Sequence, residues 1–214
     1  MNGLVMYDRE TDSMWSQVSG EAIYGLHKGA RLTILSALMT TWSSWLEEYP
    51  DTSTLDKEGR EEYGFDPYDP YYGDDSVGLF GRSVNDKRLD AKELVAGVVV
   101  EGRAKAYPFS ELSRYSVIND EVGGVPLLVA FGSESRSAAV FSRTVKGRTL
   151  TFETRRGDLT DTETGSVWSA LTGRALRGEL AGFRLSAIPS VTLFWFAWAD
   201  FYPQTSVLGG QPPP

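Results

Sequence analysis

Tyr7–Gly20 reads YDRETDSMWSQVSG, and Asp161–Gly173 reads DTETGSVWSALTG; Trp15 and Trp168, like Gly20 and Gly173, stand 153 residues apart. The register continues without a gap through Arg31-Leu32 over Arg184-Leu185, Trp42 over Trp195, Trp45 over Trp198 and Tyr49-Pro50 over Tyr202-Pro203. Between 6–55 and 159–208, roughly 19 of 50 ungapped positions are identical, which marks an internal repeat. All six tryptophans fall at equivalent positions. The expected organisation is 1–55 as the C-terminal part of a first repeat unit, 56–90 as an acidic Tyr/Gly/Pro-rich linker, 91–208 as a complete second unit, and 209–214 as a Pro/Gly tail.

Each copy opens as a β-hairpin. Val5 and Tyr7 lead in, Glu10-Thr11-Asp12-Ser13 turns, and Met14 to Val18 leads out. Asp12 is replaced by Gly165 in the second copy, and both residue types tolerate positive φ, so this position is expected to be left-handed. Arg31–Leu38 is a further strand candidate. Trp42, Trp45, Leu46 and Tyr49 then recur at helical spacing, with Thr40 or Thr41 as a cap and Pro50 as a stop. Trp195, Trp198 and Tyr202 repeat that stripe before Pro203. Trp15, Trp42, Trp45, Trp168, Trp195 and Trp198 are therefore expected in the core, because a buried indole removes a large apolar area from water.

From Leu94 onward, short apolar runs alternate with turns. Val95–Val100 and Arg103–Tyr107 flank Glu101-Gly102, Val125–Phe131 follows Glu121-Val-Gly-Gly, and Ala138–Thr144 with Arg148–Thr154 flanks Lys146-Gly147. The spacing predicts a mainly β protein with minor α: antiparallel sandwich or barrel-like sheets, with one short helix per copy.

Composition bounds the chemistry. The 214 residues carry a formal net charge of −8, no cysteine and one histidine. An acidic chain lacks the electrostatic footprint of a nucleic-acid binder. Without cysteine there is no thiolate, and one histidine cannot build a multi-histidine metal site, so no metal and no cofactor are expected. The first ten residues show no signal-peptide pattern and no apolar run suits a membrane helix, so the chain reads as soluble, without membrane insertion. Asp66, Asp69, Asp74 and Asp75 in the linker match no EF-hand spacing. Ser16 and Ser169 have no histidine placed to complete a triad.

The phrases LVMYDRETDSMWSQVSGEAI, TTWSSWLEEYPDT, AKAYPFSEL, INDEVGGVPLLVAF, VKGRTLTF and FWFAWADFYPQTSVL together resemble the bacterial and archaeal family named domain of unknown function 3179. That resemblance covers nearly the whole chain and carries no established activity. It implies an upstream half resembling 91–158, with a His-Glu pair and a Cys-x-x-Cys-Gly phrase where this chain has Tyr115-Ser116 and Gly132-Ser-Glu-Ser135-Arg136. On that basis the chain reads as an N-terminally truncated member, and export from the cytoplasm is suggested by the resemblance alone.

Two functional readings follow. The favoured one is a non-enzymatic β-rich module with a structural or binding role, whose partners the sequence does not name and whose uncovered sheet edge leaves room for self-association. The alternative is the remnant of an enzyme or metalloprotein whose Cys/His chemistry lies upstream. Tyr7, Asp8, Arg9, Glu10 and Gln17 are the candidate ligand-binding residues; Asp8, Glu10 and Asp12 equally suit hairpin-turn chemistry. No catalytic residue is assigned.

Overall fold

The computed structural model describes residues 3–55, 70–71, 77 and 86–210. The described chain is mainly β, with 40% strand and 11% helix, in several antiparallel sheets of which none closes into a barrel. The linker carboxylates Asp66, Asp69, Asp74 and Asp75 lie outside the described residues.

Residues 94–142 build two stacked sheets. Strands β4 (Leu94–Val100) and β5 (Arg103–Pro108) pair antiparallel across a tight turn in which Glu101 and Gly102 both have positive φ. Short helix α2 (Phe109–Leu112) leads to a meander of β6 (Val117–Val122), β7 (Val125–Gly132) and β8 (Ser137–Ser142). Strand alternation then sorts side chains into layers. Ala96, Val98, Val100 and Tyr107 meet Leu127, Val129, Phe131, Ala138 and Val140 in one buried cluster. Leu128, Ala130, Ala139 and Phe141 point from the far side of the meander into a second cluster.

That second cluster is closed by a four-stranded sheet. Its strands are β11 (Phe152–Arg155), β12 (Asp158–Asp161), β13 (Val167–Trp168) and β14 (Ala175–Arg177), in that order. Leu150, Phe152, Leu159, Trp168, Leu180 and Leu185 fill it. A third cluster lies on the outer side of β4 and β5. There β15 (Ser190–Phe194) pairs with β4, and helix α3 (Trp195–Phe201) sets Trp195, Trp198 and Ala199 against Val95, Ala106 and Val207. Gly97 is required at this contact, because a Cβ there would meet the Trp198 ring at 2.4 Å. Strand β16 (Ser206–Val207) completes the sheet alongside β5, in parallel.

The strands around Lys146-Gly147 differ from the expected hairpin. Strands β9 (Thr144–Val145) and β10 (Arg148–Thr149) form a two-residue ladder only. Residues 137–142 instead pair with β7, and 152–155 pair with β12. Buried partners on both sides outweigh the local turn signal.

The N-terminal segment has a comparable order of elements. Strands β1 (Val5–Asp8), β2 (Ser13–Ser16) and β3 (Ala22–Tyr24) form a three-stranded sheet, followed by helix α1 (Trp42–Glu48). Met6 faces Trp15 and Trp15 faces Ala22, as Leu159 faces Trp168 and Trp168 faces Ala175. The bulge in β2 between Met14 and Trp15 has its counterpart between Val167 and Trp168. Asp12 and Gly165 take φ of 52° and 67°. Trp45 donates Nε1–H to Thr52 Oγ1 at 2.9 Å, and Trp198 donates to Thr205 Oγ1 at the same distance.

Two expectations are corrected here. Residues 31–38 form no strand; Arg31 makes only an isolated bridge to Glu21. The later segment 190–194 is a strand because β4 lies beside it. Residues 37–41, 153 positions earlier, have no such neighbour among the described residues and are irregular. Nor are all six tryptophans core residues. Trp168, Trp195 and Trp198 are buried, Trp15 and Trp45 are half-buried, and Trp42 is 51% exposed.

Candidate functional site

The hairpin tip holds four of the five candidate ligand residues, and its geometry is that of a capped turn. Asp8 Oδ1 accepts the backbone N–H of Glu10 at 2.8 Å and of Thr11 at 3.3 Å, and Oδ2 accepts the Thr11 hydroxyl. Those donors hold the Asp8 carboxyl below its ordinary value, the Thr11 hydroxyl contributing most. The Tyr7 hydroxyl donates to Asp12, which raises the phenol above its ordinary value. Arg9 and Glu10 point into solvent. Gln17 lies beyond the far end of β2, its backbone N–H bonded to Leu4. It therefore stands on the order of 10 Å from Tyr7 along the strand. The fold gathers Tyr7, Asp8 and Asp12 at one turn and leaves Gln17 apart from them.

The corresponding second turn is built the same way, but its aspartate, Asp161, is buried. Asp161 accepts from Thr164 N at 2.6 Å, Ser166 N at 3.2 Å and Trp168 Nε1 at 2.9 Å. The paired serines are turn residues too: Ser16 Oγ accepts from Ser19 N, and Ser169 Oγ from Thr172 N. Ser169 also donates to Glu48, which ties α1 to the segment after β13. His27 is exposed, with its ring 6.0 Å from that of Trp15. Among the described residues no three His, Cys, Asp or Glu side chains are grouped to hold a metal ion.

A polar junction that the sequence reading did not single out lies at Asp120. Its carboxylate accepts from Lys105 Nζ at 2.6 Å, Tyr107 OH at 2.8 Å and Glu121 N at 2.8 Å. Burial pushes this carboxyl upward, but the three donors outweigh it and hold it below the ordinary range. Burial, then the Asp120 charge, pushes the Tyr107 phenol up. Beside it, Asn119 Oδ1 accepts Phe152 N at 2.8 Å while Asn119 Nδ2 donates to Phe152 O at 2.7 Å. The Ala-Tyr-Pro and Asn-Asp phrases thus lock three sheets together.

What stands out on the surface is apolar. Among the described residues, fifteen of the nineteen exposed large apolar side chains lie within 4–55. Positions 153 apart show the contrast directly. Met6 is 39% exposed and Leu159 7%; Leu32 is 48% exposed and Leu185 2%; Trp42 is 51% exposed and Trp195 fully buried. In the later unit, Leu159, Trp168 and Leu185 pack under Phe141, Leu150 and Phe152. Strand β11 also pairs along the outer edge of β12, whereas among the described residues β1 is the edge of its sheet. Helix α1 leans instead on the second unit, where Trp45 and Tyr49 line a cleft of about 380 Å³ against Ala139, Phe141 and Ile188. The candidate site is the uncovered hairpin face around Met6, Trp15 and Leu32.

A protein-family model described as a protein of unknown function, DUF3179, matches residues 1–205. The chain belongs to the DUF3179 family. No curated protein and no solved structure shows significant similarity to it. Among the described residues of this DUF3179 chain, no helix is long and apolar enough to cross a membrane.

Proposed function

We propose that this DUF3179 chain is a β-rich structural or binding module, and that it works through the apolar face of residues 4–42 rather than through a reaction centre. One observation carries the reading: equivalent side chains are buried in the later unit and exposed in the earlier one. The two units descend, in this reading, from one duplicated element. Exposed apolar side chains gathered in one segment beside a strand edge are characteristic of an interaction site. Asp8 at the hairpin tip supports the same reading, since both its carboxylate oxygens accept from the turn itself.

The test is surface titration with a hydrophobic fluorescent dye. The native-sequence chain should enhance dye emission while folded, and Met6→Lys combined with Leu32→Lys should remove most of the signal. Both side chains are exposed, so the variant should fold with an unchanged melting temperature. A folded chain that gives no dye response, or a response indifferent to both lysines, overturns the reading.

A further inference from the structure

Trp45 and Tyr49 line a cleft of about 380 Å³ together with Leu38, Phe141, Ile188 and Arg184. We propose that this cleft binds a small organic acid, its flat apolar body against the two aromatic rings and its carboxylate between the guanidinium groups of Arg184 and Arg174. Met6, Trp15 and Leu32 do not line it, so it is a site apart from the hairpin face.

The walls set the size and shape of the occupant. The Trp45 and Tyr49 rings lie 4.5 Å apart between centroids, with planes tilted by 32°, and offer a flat molecule an aromatic surface. Thr172 also lines the cleft, and its hydroxyl is buried with no hydrogen-bond partner, a group that a ligand oxygen can satisfy. The volume is at the small end for ligand pockets and suits a body of about two fused rings.

The charge comes from one pair of residues. Among the described residues Arg184 is the one charged side chain on the cleft wall. It opposes Arg174 in an isolated antiparallel bridge. Main-chain hydrogen bonds from Leu185 to Gly173 and from Ala175 to Phe183 flank that bridge. It is therefore a non-hydrogen-bonded pair, the arrangement that brings opposed side chains closest on one face. Like charges so placed repel. The residue 153 positions before Arg174 is Glu21, which opposes Arg31 in a bridge of the same kind and accepts its guanidinium at 2.8 Å. With arginine in that place, Arg184 has no such carboxylate, and among the described residues neither Arg174 nor Arg184 makes an ion pair. A ligand carboxylate supplies the group that Glu21 supplies to Arg31, and guanidinium forks match its two oxygens.

The probe is naphthoate, titrated into the intact chain at low salt by isothermal calorimetry, with naphthamide as its uncharged match. The expected result is saturable one-to-one binding of the acid, with the amide weaker by about tenfold or more, the scale of a charge-assisted hydrogen bond. Arg184→Gln should weaken the acid by a similar factor. Arg174→Glu should abolish binding with the melting temperature unchanged or higher, because it rebuilds the ion pair seen at Glu21 and Arg31. Met6→Lys combined with Leu32→Lys should leave the acid bound, so this site and the dye-binding face can fail independently. No saturable binding, equal binding of acid and amide, or binding unmoved by Arg174→Glu overturns the inference. Loss of binding in the Met6 and Leu32 double variant overturns it too, by placing the acid on the hairpin face. So does full displacement by acetate at equal concentration, since the arginine pair alone would then suffice.

Discussion

Phe152 sets its ring edge-on against Trp168, at 5.8 Å between centroids, and with that contact closes the apolar layer beneath the later hairpin. Trp15, at the equivalent place, has the exposed ring of His27 beside it at 6.0 Å. The same hairpin is therefore a core element in one half of the molecule and a surface element in the other.

Trp198→Ala should be far more costly than Trp45→Ala. Both indoles make the same hydrogen bond, to Thr205 and Thr52. Trp198 is fully buried over Gly97, whereas Trp45 is half-buried. Emptying the first site should cost about 3–5 kcal/mol, and the second roughly 1–2 kcal/mol. Urea unfolding monitored by far-ultraviolet circular dichroism checks the ranking.

Asp161→Ala and Asp8→Ala form a second matched pair. Asp161 is buried, and its removal strands the donors of Thr164, Ser166 and Trp168. Leaving buried donors unpaired costs roughly 1–3 kcal/mol for each group. Asp8 caps a turn that water can reach, so its loss should lower the melting temperature only slightly. Differential scanning calorimetry of the two variants measures the difference.

These pairs show which features were legible in the sequence. The hairpin turn was readable because Asp12 and Gly165 share a tolerance for positive φ, and both take it. Helix α1 was readable from its aromatic spacing, the Thr41 cap, which accepts from Ser44 N at 3.3 Å, and Pro50. Burial was not readable from the repeat, because identical residues meet different neighbours. Trp42 and Trp195 are the same residue at the same register, yet only Trp195 has the outer face of β4 and β5 beneath it. The polar junction at Asp120 escaped for a similar reason: Lys105, Tyr107 and Asp120 converge only when β5 and β6 are laid side by side. The hairpin-tip residues were legible as a group, but not Gln17, since hairpin pairing places it at the opposite end.

Asp120 should also give the protein an acid-sensitive contribution to stability. Its folded carboxyl sits below the ordinary value, so the folded state binds this proton less readily than the unfolded chain. The contribution is fully present above the unfolded aspartate pKa and is lost as pH falls through the lower folded value. Asp120→Asn should flatten the stability profile across that acid window, seen in urea midpoints measured as pH is lowered. An unchanged slope would remove Asp120 from the acid response.

The central claim is that, among the described residues, no strand pairs with the outer side of β1, whereas β12, with matching hairpin register, is sealed by β11. Residue-resolved amide hydrogen exchange on the chain alone compares the two directly. Exchange at Val5–Asp8 should be fast, close to that of an exposed edge, while Leu159–Asp161 should be slowed toward the limit set by global unfolding. Equal, strong protection of both strands in a monomeric sample would contradict the account.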